Sequence, residues 1–154
     1  MELDIKFMKL ALSEAEKAGG KGEVPIGAVI VTDGRVIARG HNLRESKNDP
    51  TAHAEMIAVR KAAKKLNSWR LINSTLYVTV EPCVMCIGAI VLARIPRLVF
   101  GCLDPKGGAV GSLYDISNDK RLNHRVEVRS GVMAEEAQVL LKDFFKKLRK
   151  SSGR

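Results

Sequence analysis

Strand and helix signals alternate along almost the whole chain, and this order limits the possible folds more than any other feature. An apolar run at 24–31, rich in β-branched residues, predicts a buried strand, and Asp33-Gly34 predicts a tight turn into a second strand at 35–42. Helices are predicted at 3–18, 52–66, 82–93 and 134–150, and further strands at 75–80, 97–101 and 125–129. Strands that alternate with helices form a sheet covered on both faces. We therefore predict a three-layer α/β/α fold with a five-stranded sheet, which the opening hairpin makes mixed.

Length and composition favour one globular domain. The 154 residues, 45% of them apolar, suit a single hydrophobic core, so we place one domain at 1–150 and a loose basic tail at 151–154. The longest stretch without charge covers about a dozen residues, 82–93, whereas a membrane-spanning helix needs roughly twenty. Acidic Glu2 and Asp4 stand where a signal peptide would be basic. The expectation is a cytoplasmic protein with no membrane partner.

The positive charge points to a polyanionic partner. Lysine and arginine number 26 against 17 acidic residues, a net charge of +9. More than half of this charge lies in residues 142–154, which contain one acid and the bases Lys142, Lys146, Lys147, Arg149, Lys150 and Arg154. A solvated helix end is an equally good interpretation of the charge alone, because cations favour helix C-termini.

Two short motifs predict a metal site. His53-Ala54-Glu55 begins one predicted helix, and Cys83-x-x-Cys86 follows Pro82 at the start of the next. The chain has three cysteines, and an odd number argues against a disulfide framework. A catalytic zinc keeps three protein ligands and an open position, and His53, Cys83 and Cys86 supply that number. The other candidate ligands, Cys102, His41 and His124, lie outside any paired spacing.

The spacing within the motifs indicates how they meet. Cys83 and Cys86 share a helix face in the first turn after Pro82, where free N–H groups stabilise thiolates. His53 and Glu55 are two residues apart and converge only if the metal lies off the helix end. We predict two helix N-termini directed at one zinc, with Glu55 as the nearby base. A lone C-x-x-C is often redox or structural and a lone glutamate is usually a surface residue, but the combination is typical of zinc deaminases.

The motifs also carry a family resemblance. From about Leu3 to Lys150 the chain resembles the zinc-dependent cytidine deaminase superfamily, and within it the bacterial tRNA adenosine deaminases. Beyond His53-Ala54-Glu55, the similar segments are Gly40-His41-Asn42, Glu81-Pro82-Cys83-Val84-Met85-Cys86, Phe100-Gly101, Gly111-Ser112-Leu113, Asn123-His124-Arg125-Val126 and Asp143-Phe144-Phe145.

The resemblance implies a cytidine deaminase-like fold, a homodimer and one zinc ion per subunit. It implies hydrolytic conversion of the wobble adenosine of an anticodon stem-loop, flipped into the pocket, to inosine, with an arginine tRNA as substrate. Glu55 would take a proton from water and deliver it to N1 of adenine and then to the departing amine.

Substrate contacts follow from the same resemblance. It implies that Asn42 contacts the target base and that Asp104 and Lys106 meet the anticodon backbone. Main-chain N–H groups of Ala54 and Cys83 would orient the water or the intermediate. Further candidate contacts are Arg70, Asn123, His124, Phe145 and Arg149, where Phe145 stacks on a base or packs in the core. We predict that Phe144 and Cys102 are packing residues.

Two other functions use the same motifs. A deaminase of free bases or nucleosides, such as guanine or cytosine, would need the same zinc site, so the later motifs and the basic C-terminal helix favour the tRNA enzyme. A noncatalytic zinc RNA-binding module would not require Glu55.

Overall fold

The computed structural model describes residues 1–151, and its elements follow the predicted order. The helices are α1 (Glu2–Gly20), α2 (Arg44–Lys47), α3 (Ala54–Leu66), α4 (Val84–Leu92) and α5 (Ala134–Ser151). The strands are β1 (Gly27–Thr32), β2 (Arg35–His41), β3 (Ser74–Val80), β4 (Arg97–Cys102) and β5 (Glu127–Arg129).

The five strands form one mixed sheet in the order β2-β1-β3-β4-β5. Strand β1 is antiparallel to both β2 and β3, whereas β3, β4 and β5 are parallel. The hairpin turn has positive φ angles at Asp33 (52°) and Gly34 (73°), as a type I′ turn requires. Strands β3 and β4 therefore end, and β1 begins, on the same side of the sheet. We call this side, which is formed by strand ends and not by an outer strand, the site edge.

Helices cover both faces, as the alternation along β1 shows. Ala28 and Ile30 belong to the buried cluster that includes α3 and α4. Val29 and Val31 belong to the cluster that includes α1 and α5. The predicted three-layer α/β/α architecture is confirmed.

Helix α1 is anchored at the edge opposite to the site edge. The buried Asp4 carboxylate accepts hydrogen bonds from Tyr77 Oη (2.8 Å), from both Nη atoms of Arg97 (2.8 Å each) and from Arg129. The Arg97 guanidinium first, and then Tyr77 and Arg129, hold the pKa of Asp4 well below its usual range. From this anchor α1 runs across the sheet to Gly27.

Helix α5 advances along α1 in the same direction. Its first turn shares a surface groove with Met1 and Ile5, and Val139 and Leu140 share the next groove with Leu12 and Glu16 of α1. The basic half of α5 therefore extends toward the site edge. Ser151 ends the helix rather than opening the predicted tail, and residues 152–154 of that tail lie outside the described residues. Across residues 1–151, no helix has the length and apolarity needed to cross a membrane.

Several element boundaries differ from the prediction. Helix α3 begins at Ala54 rather than 52, because the Asp49 carboxylate bonds Thr51 N (2.8 Å) and Oγ1 (2.7 Å) in a turn ahead of the helix. Helix α4 begins two residues after Pro82. Strand β5 keeps only its last three predicted residues. The one-turn helix α2 was not predicted.

Candidate active site

The two metal motifs meet at the site edge of the sheet. His53 is the N-cap residue of α3, and Cys83 is the N-cap residue of α4. Both have extended backbones (φ −80°, ψ 154° and φ −78°, ψ 177°), so each lies just ahead of its helix. The first N–H groups of both helices lack intrahelical partners, which favours negative charge at this point. The predicted convergence of two helix N-termini is confirmed.

The three predicted ligands form a compact cluster. His53 Nδ1 lies 3.6 Å from Cys83 Sγ and 3.5 Å from Cys86 Sγ, and all three ligand atoms lie within 4.8 Å of one another. Tetrahedral bonds of the usual zinc–nitrogen and zinc–sulfur lengths separate such atoms by about 3.5 Å. The donor set and its spacing therefore fit a zinc-like ion with one position left open.

The cluster favours a thiolate at Cys83. A hydrogen bond from the Cys86 thiol, reinforced by His53, lowers the pKa of Cys83 to about 4. The same bond, in which Cys86 is the donor, raises the pKa of Cys86. The bond to Cys83 also raises the pKa of His53. Thiolates are the form in which cysteines bind metals.

Glu55 lies beside the cluster, in the first turn of α3. Its side chain is buried, and this desolvation raises its pKa to about 7, with a smaller contribution from the Cys83 charge. A divalent cation at the three ligands would oppose this shift. A carboxyl group that exchanges its proton near neutral pH is suited to general acid–base chemistry.

A pocket of about 160 Å³ opens onto the cluster and Glu55. Three predicted contact residues line it: Asn42, Ala54 and Asp104. Its apolar wall consists of Val24, Ile26 and Val80. The pocket therefore combines one apolar wall with several polar and charged side chains directed at the same space.

One polar wall is formed by residues 42–46. The buried Asn42 accepts a hydrogen bond from Arg44 N through Oδ1 (3.2 Å). The fully buried Glu23 carboxylate accepts bonds from Glu45 N (3.1 Å) and from Ser46 N (2.6 Å) and Oγ (2.5 Å). Glu23 thereby holds α2 in place, and Arg44 on α2 lines the pocket.

The opposite wall is the loop after β4. Asp104 lines the pocket, and its Oδ1 accepts bonds from Lys106 N (3.1 Å) and Gly107 N (3.2 Å). The exposed Lys106 lies on the same loop, outside the pocket. The buried Glu81 holds this loop from below, through four hydrogen bonds.

Three other predicted contacts lie away from the pocket. Arg70 precedes β3, and its guanidinium lies over Trp69, 4.2 Å from the ring centroid. His124 Nε2 lies 2.8 Å from the carbonyl oxygen of Ile95, just before β4, and Asn123 next to it is exposed. These residues occupy the edge opposite to the pocket, about 20 Å away along β3. They are not placed to contact a base in this pocket, and a contact with RNA elsewhere stays a prediction.

Phe144 and Phe145, the two adjacent aromatic residues of α5, are both at least partly accessible. Phe145 is 40% exposed and therefore accessible, whereas Phe144, predicted to be core, is only half-buried and packs edge-on against Phe145 at 5.4 Å. Arg149 lies one turn further along α5. Cys102 is buried in the α1/α5 cluster, as predicted.

Sequence reasoning gave no role to Glu23, Arg44 or Glu81. Glu23 and Glu81 each carry a charge next to an apolar strand segment, at Val24 and Val80. A glutamate in that position is rarely buried without partners. That signal could have indicated buried carboxylates, but it could not have identified the loops that they hold.

Comparison with known proteins identifies the family. The model of the MafB19-like deaminases matches residues 2–149. The tRNA-specific adenosine deaminase of Bacillus subtilis is 53% identical over 150 residues, which cover 97% of this chain and 93% of the relative. That of Haemophilus influenzae is 54% identical over 149 residues, covering 96% and 86%.

Solved structures agree. One from a study of A-to-I editing by tRNA deaminases at the wobble position has a TM-score of 0.85 and 50% identity, covering 88% of this chain and 99% of the other. Guanine deaminase from Nitrosomonas europaea shares the fold, with a TM-score of 0.77, 23% identity and coverage of 91% and 83%. This chain belongs to the MafB19-like deaminase family and is an enzyme of the tRNA adenosine deaminase branch of the cytidine deaminase superfamily.

Proposed function

We propose that this enzyme converts the wobble adenosine of a tRNA anticodon to inosine by hydrolysis. The observation that carries the proposal is the buried Glu55 carboxyl beside a three-ligand cluster, both open to one pocket of about 160 Å³. The high identity to tRNA-specific adenosine deaminases supports the choice of adenosine in tRNA.

We propose one zinc ion per subunit, held by His53, Cys83 and Cys86. Nitrogen and sulfur donors at the observed spacing favour zinc over oxygen-seeking ions such as magnesium. Two thiolates and a neutral imidazole balance a divalent charge. When bound, zinc would supply the Lewis acidity that lowers the pKa of a water molecule.

The reaction replaces the C6 amine of adenine by the oxygen of water, giving hypoxanthine and ammonia. Glu55 accepts a proton from the water and delivers it to N1, and a second proton transfer through Glu55 releases the amine. The raised pKa of Glu55 suits both directions of transfer. We propose that Asn42 and the Ala54 N–H group orient the base and the oxygen, since both residues line the pocket.

We propose that the anticodon stem lies along the basic part of α5. The helix extends toward the site edge, and it presents Lys146, Lys147 and Lys150 to solvent. Phosphate contacts from such residues supply affinity without sequence information. Phe145, which is accessible beside them, offers a surface for base stacking. Lys106, which is exposed on the loop after β4, gives a second phosphate contact.

We propose that the enzyme is a homodimer whose partner covers α4. This helix carries no charged residue, and Val84, Gly88 and Leu92 fall on one face at intervals of four. Val84 is 50% and Leu92 69% exposed, while the space above Gly88 is open among the described residues. A second copy presenting the same face buries these apolar groups in an isologous contact.

Substrate and location follow the family resemblance. We propose an arginine tRNA as the substrate, and the cytoplasm, where that RNA is used, as the location.

The test compares wild type with Glu55→Gln on an anticodon stem-loop and on free adenosine, with inosine as the readout. We expect wild type to convert the stem-loop, and Glu55→Gln to retain zinc and RNA binding while losing about 10²- to 10⁴-fold in rate. Glu16→Gln, at an exposed position on α1, is the matched control and should stay active.

The outcomes separate the alternatives. Conversion of free adenosine or another free base without conversion of the stem-loop would support a free-base deaminase. RNA binding without any product would support a noncatalytic zinc module. Full activity of Glu55→Gln would refute the role of Glu55.

A further inference from the structure

The loop between β4 and the 115–126 segment has little regular structure, yet it forms one wall of the pocket. Within residues 103–114 the regular pairing is limited to the single bridge between Val110 and Asp115. Such a loop needs another source of rigidity if Asp104 is to keep its place in the pocket. The buried Glu81 supplies it.

The Glu81 carboxylate is saturated by donors from this loop. Oε1 accepts bonds from Asp104 N (3.0 Å) and Ser112 Oγ (2.5 Å), and Oε2 accepts from Val110 N (3.0 Å) and Ser112 N (3.0 Å). Burial alone would raise the pKa of Glu81, but these bonds outweigh it and lower that pKa. One side chain thus fixes the loop at its beginning, middle and end.

The loop also packs directly on this carboxylate. A Cβ atom added at Gly108 would overlap the carboxylate carbon and both oxygens of Glu81. Glycine at 108 is therefore required for the close approach. The loop backbone and the carboxylate are in contact with no side chain between them.

The segment 81–83, which carries Glu81, also connects the loop to the three metal ligands. Glu81 N donates to Cys102 O (2.9 Å), and Ala109 N donates to Pro82 O (2.9 Å). Cys83 follows immediately. The loop and the ligand Cys83 are therefore attached to one three-residue segment, 81–83, which sets the distance between Asp104 and the cluster.

We propose that Glu81 is a positioning residue that holds the 104–112 loop as the rim against which the RNA substrate docks. It acts through the loop and takes no part in proton transfer. This inference rests on the proposed function, because the substrate that meets the rim is the anticodon stem-loop. It predicts that loss of the carboxylate weakens binding of stem-loop RNA and leaves the chemical step nearly unchanged.

The variant Glu81→Gln keeps the shape of the side chain but replaces one acceptor oxygen with an NH₂ donor. Two of the four loop donors then face a donor. We expect KM for the stem-loop to rise about tenfold, with kcat within about twofold of wild type. Zinc content should be unchanged. Amide hydrogen exchange of residues 104–112 should accelerate, while that of β3 and α4 should not.

Two further variants separate a positioning role of Glu81 from a general loss of stability. Asp4→Asn makes the same change at a buried carboxylate on the opposite edge, and it should lower stability without changing KM. Ser112→Ala removes one hydrogen bond and leaves no buried donor unpaired, so it should fold even if Glu81→Gln does not. It should raise KM in the same direction by a smaller factor.

Failure of this inference can be told apart from failure of the proposed function. If wild type makes no inosine, the proposed function fails, while hydrogen exchange still tests whether Glu81 holds the loop. If wild type is active but Glu81→Gln leaves KM and loop exchange unchanged, or lowers kcat alone, the positioning role is overturned. An equal rise of KM in Asp4→Asn would also overturn it, since the effect would then follow stability.

Discussion

Adding one methyl group at Gly40 should damage catalysis more than it damages the fold. Gly40 lies on β2, directly beneath the first turn of α3. A Cβ atom there would lie 2.9 Å from Ala58 N and 3.2 Å from Ile57 Cβ, and closer still to Ala54 O. Real Cβ atoms essentially never approach within 3.0 Å, and ordinary contact begins at 3.4 Å.

The size of the effect follows from this overlap. The shortfall at Ala54 O is about 1 Å, and helix backbone cannot rotate away as a side chain can, so the start of α3 must move by about that amount. His53 and Glu55 flank Ala54 and move with it. A misplacement of about 1 Å can cost a hundredfold in rate, whereas overpacking costs about 1–3 kcal/mol in stability.

The assay measures inosine formation and thermal unfolding on the same preparations. Gly40→Ala should lose about a hundredfold in kcat while remaining folded at assay temperature. Gly27→Ala is the matched clash control, because its Cβ would meet backbone of α1 instead of α3. Gly20→Ala is the neutral control, since no described atom lies within 4 Å of its Cβ. The reasoning is wrong if Gly40→Ala keeps its kcat, or if Gly27→Ala loses as much at equal stability.

Three further predictions test other parts of the structure. Asp4→Asn should lower the free energy of unfolding by about 3 kcal/mol at pH 7, because Arg97 and Arg129 lose their buried partner while staying partly exposed. The pKa of Asp4 is depressed in the folded state, so the stability advantage of the wild type is present above the unfolded pKa of about 4 and shrinks as pH falls below it. Urea denaturation of both proteins at pH 7 and pH 3 measures this. An equal difference between wild type and Asp4→Asn at the two pH values would contradict the prediction. Leu92→Lys should convert the proposed dimer to monomer in analytical ultracentrifugation, and an unchanged sedimentation coefficient would exclude α4 as the interface. Replacing Lys146 and Lys147 by alanine should make the plot of log affinity for tRNA against log salt concentration less steep, by up to about one in slope per lysine. An unchanged slope would show that α5 does not contact the RNA phosphates.

The fold and the metal ligands could be predicted because their signals are local. The alternation of strands and helices, the Asp33-Gly34 turn and the spacing of Cys83 and Cys86 are each contained in a few consecutive residues. Helix α3 begins two residues later than predicted, because Asp49 forms a turn that mimics a cap signal.

The walls of the pocket could not be predicted in the same way. Glu81 bonds groups 23 to 31 residues away, and Glu23 bonds groups 22 and 23 residues away, so their roles exist only in the folded chain. Conversely, strand direction places Arg70 and His124 at the edge opposite to the pocket, and their contact with RNA stays a prediction. Side-chain type indicated the chemistry, whereas long-range pairing decided which residues reach it.

The antiparallel hairpin separates the two edges of the sheet in a way that is useful for labelling the enzyme. Strand β1 starts beside the pocket and ends about 20 Å away, where the exposed Asp33-Gly34 turn lies. Exposed turns tolerate insertions. A peptide tag or fluorophore inserted at this turn should therefore leave the pocket, the loop at 104–112 and α5 untouched, and can be used to follow RNA binding. A fusion at the C-terminus would instead lie next to the helix that we propose binds the RNA.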